Sequence, residues 1–168
     1  MNLAKSLKPP DTHRLRFRNL ELTDSYALYA GAFRIPAVTE FLQWDSHQDV
    51  AETEKLMREM ISLHQQGSKF FWAAELKEDN RISGLVSVRP EQKAAWVGFL
   101  VCFEEQRKGL GFEIVAAAET AVLGVFDCVL ASVAPANQGS IGLLKKRAWA
   151  EEPNDEVRPL LTFKKETK

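Results

Sequence analysis

The chain has 168 residues, of which 45% are hydrophobic and 27% are charged, and its formal net charge at pH 7 is −1. This composition is typical of a soluble globular protein, and it argues against disorder, a collagen-like structure and membrane spans. Because 22 Lys and Arg residues balance 23 Asp and Glu residues, no global positive field draws the protein to nucleic acid or anionic lipid. We therefore expect one domain over residues 1–168, located in the cytoplasm, with no nucleic-acid or membrane partner.

The N-terminal third predicts a strand and two helices. Apolar and charged residues alternate over residues 14–18, which is typical of a half-buried strand. Thr23 resembles the N-cap of a first helix that Pro36 ends, and its predicted apolar stripe consists of Tyr26, Tyr29, Ala30 and Phe33. A loop with Phe41, Leu42 and Trp44 follows. Ser46 has a capping-box spacing with Asp49, which predicts a second helix that runs to Gln66.

The rest of the chain predicts five strands and two helices. Three strand-like runs at 70–76, 81–88 and 93–103 are joined by short polar turns, which predicts an antiparallel meander. Helical spacing over 110–124 then leads to a strand at 128–134. A strand, a crossover helix and a strand indicate a parallel pair. A fourth helix follows an N-cap at Asn137, and Val157 to Lys164 predicts a last strand, with Pro159 at an edge or a bulge.

Cysteine and histidine usage argues against a metal site. Cys102 and Cys128 both lie in apolar runs, which predicts buried, reduced thiols rather than a disulfide framework. The only histidines are His13, His47 and His64, and none of them has a metal-ligand spacing with a cysteine. We therefore expect no metal cofactor.

The stretch from Glu105 to Glu113 carries the clearest chemical signal. Gly109 and Gly111 stand between a predicted strand and a predicted helix. A helix N-terminus offers free N–H groups and a positive dipole end, and glycine lets the backbone approach a ligand closely. With Arg107 and Lys108 beside them, these features indicate a phosphate-binding turn. The nucleoside-triphosphate loop and the dinucleotide fingerprint are both excluded, since neither glycine pattern is present.

The pattern Gln106-x-x-Gly109-x-Gly111 resembles the pyrophosphate-binding motif of the GNAT superfamily of acyl-CoA-dependent N-acyltransferases. The order of elements is similar too, and Asn137-x-x-Ser140 matches that family's motif at the start of the fourth helix. Strings from residue 14 to Trp149 resemble the branch that acetylates ribosomal-protein N-termini. The resemblance implies a mixed α/β fold with a mostly antiparallel sheet, a splayed parallel pair of fourth and fifth strands, and about four helices.

The resemblance also implies an N-acetyltransferase that uses acetyl-CoA as its cosubstrate. Backbone N–H groups of Arg107, Lys108, Gly109, Leu110 and Gly111, in the motif that Gln106 opens, would hold the pyrophosphate, and the backbone of Val101 would pair with the pantetheine arm. Asn137 would bond the pantetheine amides. Ser140 would protonate the leaving thiolate, although it is also suited to a structural role at the helix start. A strand N–H would stabilise the oxyanion formed when the amine attacks.

The acceptor side is less defined, because the sequence departs from the family pattern there. Trp96 stands where many relatives have a glutamate, and the only tyrosines, Tyr26 and Tyr29, precede the meander. The base is therefore unassigned, with Asp45 and Glu40 as candidates. Trp44 and Asp45 are candidate substrate-binding residues, although Trp44 is equally suited to filling the core. Ala148-Trp149 replaces the usual Gly-Phe.

Several functional alternatives stay open at this level. A ribosomal-protein N-terminus, another peptide or a small-molecule amine is a possible acceptor, and the protein is a monomer or a homodimer. The rival hypothesis is a GNAT-like module that binds acyl-CoA as a sensor without turnover.

Overall fold

The computed structural model describes residues 2–153 and 159–167. Within these residues, seven strands form one mixed sheet in the order β1-β2-β3-β4-β5-β7-β6. The strands are β1 (Leu15–Asn19), β2 (Phe70–Leu76), β3 (Ile82–Glu91), β4 (Ala94–Val101), β5 (Cys128–Val133), β6 (Ala150–Glu151) and β7 (Leu161–Glu166). The helices are α1 (Leu3–Ser6), α2 (Ser25–Leu28), α3 (Pro36–Thr39), α4 (Val50–Gln66), α5 (Leu110–Leu123) and α6 (Gln138–Lys146).

Helices cover both faces of the sheet and form two cores. On one face, Ile114 of α5 and Leu144 of α6 pack with Val97 of β4. On the other face, Leu28 and Met57, from α2 and α4, pack with Leu100 of β4. Burying a large apolar side chain contributes about 1.5–3 kcal/mol, so these two layers fix the helices on the sheet.

The meander and the parallel pair are confirmed. β2, β3 and β4 pair antiparallel in sequence, while β4 and β5 pair in parallel across the crossover helix α5. Asn137 caps α6, and its side chain accepts a hydrogen bond from the Ser140 N–H. Among the described residues, no helix combines the length and the apolar character needed to cross a membrane.

The first helical region differs from its prediction. A 3-10 turn (residues 22–24) leads into α2, and a π-helical turn follows it (residues 29–33). The N-cap is Glu21, whose N–H donates to Asp24 at 2.9 Å, so the prediction of Thr23 was wrong. The predicted stripe was right at Phe33, which is buried, but wrong at Tyr26, which is 71% exposed. Leu28 and Ala32, which were not predicted, are buried together with Phe33.

Proline and capping residues also act differently from the prediction. The first helical region ends at Phe33, and Pro36 begins α3 as its first residue, the position at which a missing N–H is harmless. The N-cap of α4 is Asp49, which accepts from the Glu52 N–H at 3.1 Å, so the helix starts three residues later than the Ser46 capping box predicted. Gly67 ends α4 in a left-handed conformation, as expected.

The C-terminal part contains further differences. Pro90 lies inside β3, so the turn before β4 is shorter than predicted. The strand β6, and the short helices α1 and α3, were not predicted. The last strand begins at Leu161, so Pro159 precedes it, while Val157, where it was predicted to begin, lies outside the described residues.

Candidate active site

The parallel pair of strands opens into a groove at its carboxyl end. β4 pairs with β5 only at residues 94–96, which lie opposite residues 128–130. The remaining residues of β4, 97–101, pair with β3 on one side, and on the other side they face no strand formed by residues 2–153 and 159–167. An unpaired strand edge presents backbone donors and acceptors to a ligand. The predicted splay is therefore present, and it ends at Val101, beside the glycine turn.

The glycine turn follows the groove and opens α5. Gly109 is the N-cap of α5 with φ +81°, and Arg107 is also left-handed with φ +61°. Within the described part of the chain, the N–H groups of residues 107–109 donate no hydrogen bond. The first N–H groups of α5 add to them, because helix geometry leaves them free. The turn is thus a cluster of unpaired donors at a positive helix end, which suits a phosphate group.

Arg14 braces this turn from the first strand region. Its Nη1 donates to the Lys108 carbonyl at 2.9 Å, and its guanidinium pairs with Glu113 of α5. Thr12 also donates to Glu113, at 2.6 Å. Burial acts to raise the pKa of Glu113, but the hydrogen bonds from Thr12 and Arg14 outweigh it, so this pKa lies below its ordinary value. The brace therefore ties the Lys108 carbonyl of the turn to Glu113 of α5 through Arg14.

Two predicted binding residues of the turn have partners inside the protein. Gln106 Nε2 donates to the Val101 carbonyl at 3.2 Å, which ties the end of β4 to the turn. Lys108 Nζ lies 3.0 Å from Glu105, a buried carboxylate that also pairs with Arg81. The Arg107 side chain is exposed. The side chains of Gln106 and Lys108 therefore shape the turn, and its backbone is what faces outward.

Gly111 marks the place where three elements meet. A Cβ atom at this position would lie 3.1 Å from Leu143 Cδ1 of α6 and 3.4 Å from Val101 Cγ2 of β4. Leu110 beside it is buried in the core and anchors the first turn of α5. The sequence-predicted turn, the end of β4 and helix α6 are therefore brought together.

The start of α6 forms the far side of the groove. Asn137 Oδ1 accepts from the Ser140 N–H at 3.1 Å, which leaves the amide group of Asn137 as a donor. The Ser140 hydroxyl makes no hydrogen bond within the described residues and is half-buried. Both residues follow β5, whose end faces the splayed part of β4. The amide and the hydroxyl are thus available to a ligand in the groove.

The loop with the candidate acceptor residues packs on the other face of the sheet. Trp44 lies edge-on to Phe33, with 5.7 Å between ring centroids. Its Nε1 is buried and is the one buried side-chain polar atom without a partner in the described part of the chain. Asp45 and Glu40 are exposed. Trp44 therefore fills the core beneath the loop, which is one of the two roles predicted for it, and its indole N–H is buried there without a partner among the described residues.

The two thiols differ in environment. Cys102 is buried beside Gly31 at the end of β4, and burial, with the negative charge of Glu105, raises its pKa to about 12. It is therefore an unreactive thiol at neutral pH. Cys128 is only half-buried, which corrects the prediction that both are buried. Among the described residues, no group of three or more His, Cys, Asp or Glu side chains has a metal-binding arrangement.

The exit of α6 carries Ala148-Trp149 in place of the usual Gly-Phe. Ala148 adopts φ +59°, the left-handed conformation for which glycine is preferred. The N–H of Trp149 donates to the Leu144 carbonyl at 3.0 Å and closes the helix. Trp149 is buried, and its Nε1 donates to Glu119 at 3.0 Å.

Sequence reasoning missed the brace. Thr12 and Arg14 lie 101 and 99 residues from Glu113, so no spacing along the chain connects them. The only signal was the alternation around Arg14, which marks a strand but not the partner of its side chain. The glycine turn, by contrast, could be predicted because its residues are consecutive.

A comparison with known proteins finds a family that matches most of this chain. A family model described as an acetyltransferase (GNAT) domain matches residues 14–147. A sequence search among curated proteins finds no significant match.

Solved structures of the same fold are similar over nearly the whole chain. RimL, a ribosomal L7/L12 alpha-N-protein acetyltransferase solved with coenzyme A, has a TM-score of 0.82 at 20% identity, over 95% of this chain and 97% of that chain. An acetyltransferase from Salmonella typhimurium that modifies the N-terminal serine of L7/L12 has 0.79 at 19% identity, over 95% and 98%. The microcin C7 self-immunity acetyltransferase MccE, solved with acetyl-CoA and AMP, has 0.80 at 14% identity, over 97% and 99%.

Proposed function

The chain belongs to the GNAT acetyltransferase family, and from that premise we propose that it transfers an acetyl group to the α-amine of a peptide by direct attack. Membership of this family makes it an acetyl-CoA-dependent N-acetyltransferase. The observation that carries the proposal is the groove between β4 and β5, which ends at a turn of unpaired N–H groups. An extended thiol arm that ends in a diphosphate matches both parts.

The residues of the groove fit this cosubstrate. The N–H groups of residues 107–111 bind the pyrophosphate, and the lack of a Cβ at Gly111 lets the first turn of α5 pack closely against Val101 and Leu143. The free edge of β4 over residues 97–101 bonds the pantetheine amides as an added strand. The amide of Asn137 donates to the same arm.

Acetyl-CoA supplies a thioester whose carbonyl carbon is activated toward amines. As the C–N bond forms and the C–S bond breaks, the Ser140 hydroxyl donates a proton to the departing sulfur and recovers the proton that the attacking amine loses. Its oxygen has no competing hydrogen bond among the described residues. Direct attack by the amine is favoured over a covalent acetyl-enzyme. Cys102 directly follows the last residue of β4, but its thiol is buried and has a pKa of about 12, so it supplies no thiolate nucleophile at neutral pH.

A peptide acceptor is supported by the similar structures, two of which act on the N-terminus of ribosomal protein L7/L12. The exposed sheet surface next to the groove, at Gly98 of β4, suits an extended chain better than a closed pocket would. We therefore place the amine of the first peptide residue at the groove and the following residues along this surface.

Cosubstrate binding is the first test. Acetyl-CoA at a hundredfold excess over its dissociation constant is expected to stabilise the protein by about 2.7 kcal/mol, measured as a thermal shift. ATP and NAD are the controls, because they share phosphates but lack pantetheine. An equal shift with ATP or NAD would refute specific binding of acyl-CoA.

Acetyl transfer is the second test. Release of free coenzyme A is measured over Ser- and Ala-initiated peptides, polyamines and amino acids, and mass spectrometry locates the acetyl group. Peptides with a blocked N-terminus are the matched control. We expect transfer to free peptide α-amines alone. Release with small amines but not peptides contradicts the acceptor, and cosubstrate binding without release over the whole panel favours the sensor module.

A further inference from the structure

One face of the sheet carries a row of side chains that the helices leave partly uncovered. Arg89 of β3 lies opposite Trp96 of β4, which lies opposite Leu130 of β5, which in turn lies opposite Lys164 of β7. Lys69 extends the row at the other end. Phe70, the first residue of β2, pairs with Val88 of β3, so the antiparallel register places Lys69, which directly precedes β2, beside Arg89. Side chains that lie opposite one another in a sheet share a face. We call this set the cross-sheet row: Lys69, Arg89, Trp96, Leu130 and Lys164.

The row lies on the face where the amine must arrive. The neighbours of Trp96 in β4, Ala95 and Val97, belong to the core under α5 and α6, so Trp96 points to the opposite face. The glycine turn and the start of α6 stand on the α5 and α6 side of the groove. The thioester, held from that side, is therefore approached from the face of the cross-sheet row. Gly98, two residues beyond Trp96, is exposed there.

Lys69 and Arg89 are neighbouring cations whose positive charges are only partly balanced by carboxylates among the described residues. Lys69 Nζ lies 5.1 Å from the centre of the Phe71 ring, and no carboxylate of the described residues lies within salt-bridge distance of it. Burial, together with the positive charge of Arg89, lowers the pKa of Lys69. Within the described part of the chain, Arg89 has one carboxylate partner, Glu91 at 3.3 Å, and its guanidinium lies 5.7 Å from the Trp96 ring.

The other end of the row is different. Lys164 is paired with Glu166 at 2.6 Å, so its charge is satisfied within β7. Between the two ends, Trp96 and Leu130 are half-buried and form an apolar floor. Like charges side by side on a sheet are destabilising, so the Lys69 and Arg89 pair is the place in this row where an added anion relieves repulsion.

The spacing defines where the anion sits on an acceptor. From β4 to β2 the distance is two strand spacings, about 10 Å, and an extended chain covers this in about three residues. On the basis of the proposed function, we propose that Lys69 and Arg89 bind a carboxylate that the acceptor peptide carries about three residues after its amine. The substrate class is thus a peptide with an acidic side chain about three residues after its N-terminal amine, and Trp96 and Leu130 lie beneath the peptide between these two groups.

The test uses peptide pairs that differ only in charge. Ser-initiated peptides carry a single Asp or Asn, scanned from position 2 to position 6, and kcat/KM for acetyl transfer is compared within each pair. We expect the Asp peptide to be favoured by about tenfold at positions 3–5 and by little at positions 2 and 6. Lys69→Met, which keeps the apolar stem over Phe71, is expected to remove this preference. Lys69→Glu is expected to favour a Lys at the same position.

Matched controls separate a local effect from a change in net charge. Lys55→Met and Lys55→Glu alter a lysine on the exposed side of α4 and are expected to keep the preference for Asp. Thermal unfolding and acetyl-CoA affinity of each variant show that the fold and the cosubstrate site are intact, since neither Lys69 nor Lys55 belongs to that site.

A binding measurement makes the result independent of turnover. The affinity of the N-acetylated Asp and Asn peptides for the coenzyme A complex is measured by calorimetry. Preferential, Lys69-dependent binding of the Asp peptide supports the carboxylate site even where no peptide is acetylated, an outcome that would reject the proposed function alone. Equal affinity for both peptides, or a preference that Lys69→Met leaves unchanged, overturns the carboxylate site whether or not transfer occurs.

Discussion

Replacing Gly111 with Asp places a carboxylate in the first turn of α5, where we assign the pyrophosphate. At about 6 Å from two phosphate charges, its repulsion amounts to about 1.4 kcal/mol with the dielectric of water and about 5.5 kcal/mol with that of a protein surface. Since 1.4 kcal/mol is about tenfold in affinity, we expect the dissociation constant for acetyl-CoA to rise by at least about tenfold.

The same substitution has a smaller effect on the fold. Its Cβ meets Leu143 Cδ1 at 3.1 Å and Val101 Cγ2 at 3.4 Å, a crowding that falls at the lower end of the ~1–3 kcal/mol seen for overpacked sites. Leu143 is only half-buried, and its Cδ1 is the end of a flexible side chain. Replacing a glycine inside a helix stabilises the helix by about 0.5–1 kcal/mol, which offsets part of the crowding. An Asp is also favourable near a helix N-terminus. Net stability is therefore expected to change little.

Calorimetric titration with acetyl-CoA, together with thermal unfolding, measures the two effects separately. Gly111→Ala is the steric control, because it adds the Cβ without the charge. Gly142→Asp is the charge control, because that glycine on α6 is exposed and a Cβ atom added to it would meet no other atom within 4 Å. The reasoning is refuted if folded Gly111→Asp protein binds like the wild type, or if Gly111→Ala loses as much affinity as Gly111→Asp.

Three single residues give further predictions. Ser140→Ala is expected to lower kcat by about 10²-fold, the low end for general acid catalysis, with acetyl-CoA affinity preserved; an unchanged kcat at saturating cosubstrate rejects Ser140 as the proton donor. Ala148→Gly is expected to relieve a left-handed strain of about 1–2 kcal/mol against a glycine entropy loss of about 0.4–1 kcal/mol, so the melting temperature rises by a few degrees; a lower melting temperature contradicts this. Glu113→Gln is expected to destabilise the protein at pH 7, and because the folded pKa of Glu113 is depressed, the difference in melting temperature from the wild type shrinks as the pH falls below about 4.5; a pH-independent difference excludes the Arg14 brace as its source.

Local patterns in the sequence determined most of the secondary structure. The meander of β2, β3 and β4 follows from three apolar runs with polar turns, and α5 follows from its helical spacing. The glycine turn and the Asn137 cap were found because each is a short, contiguous string whose conformation depends on its own residues. These are cases in which backbone geometry and nearest neighbours decide the outcome.

Only the tertiary structure decided the first helical region and the contacts that support the site. With the π turn at residues 29–33, Leu28 and Ala32 join Phe33 in the core while Tyr26 stays exposed, because burial against β4 outweighs the regular helical period that the sequence suggests. The Arg14 brace joins residues almost a hundred positions apart, and the cross-sheet row joins residues from four strands with Lys69, which directly precedes β2. Such partners are set by strand order and register, which emerge when the sheet assembles and both of its faces are packed. The sequence by itself therefore determined the turn that we assign to the pyrophosphate, while the fold decided what holds that turn and what surface the acceptor meets.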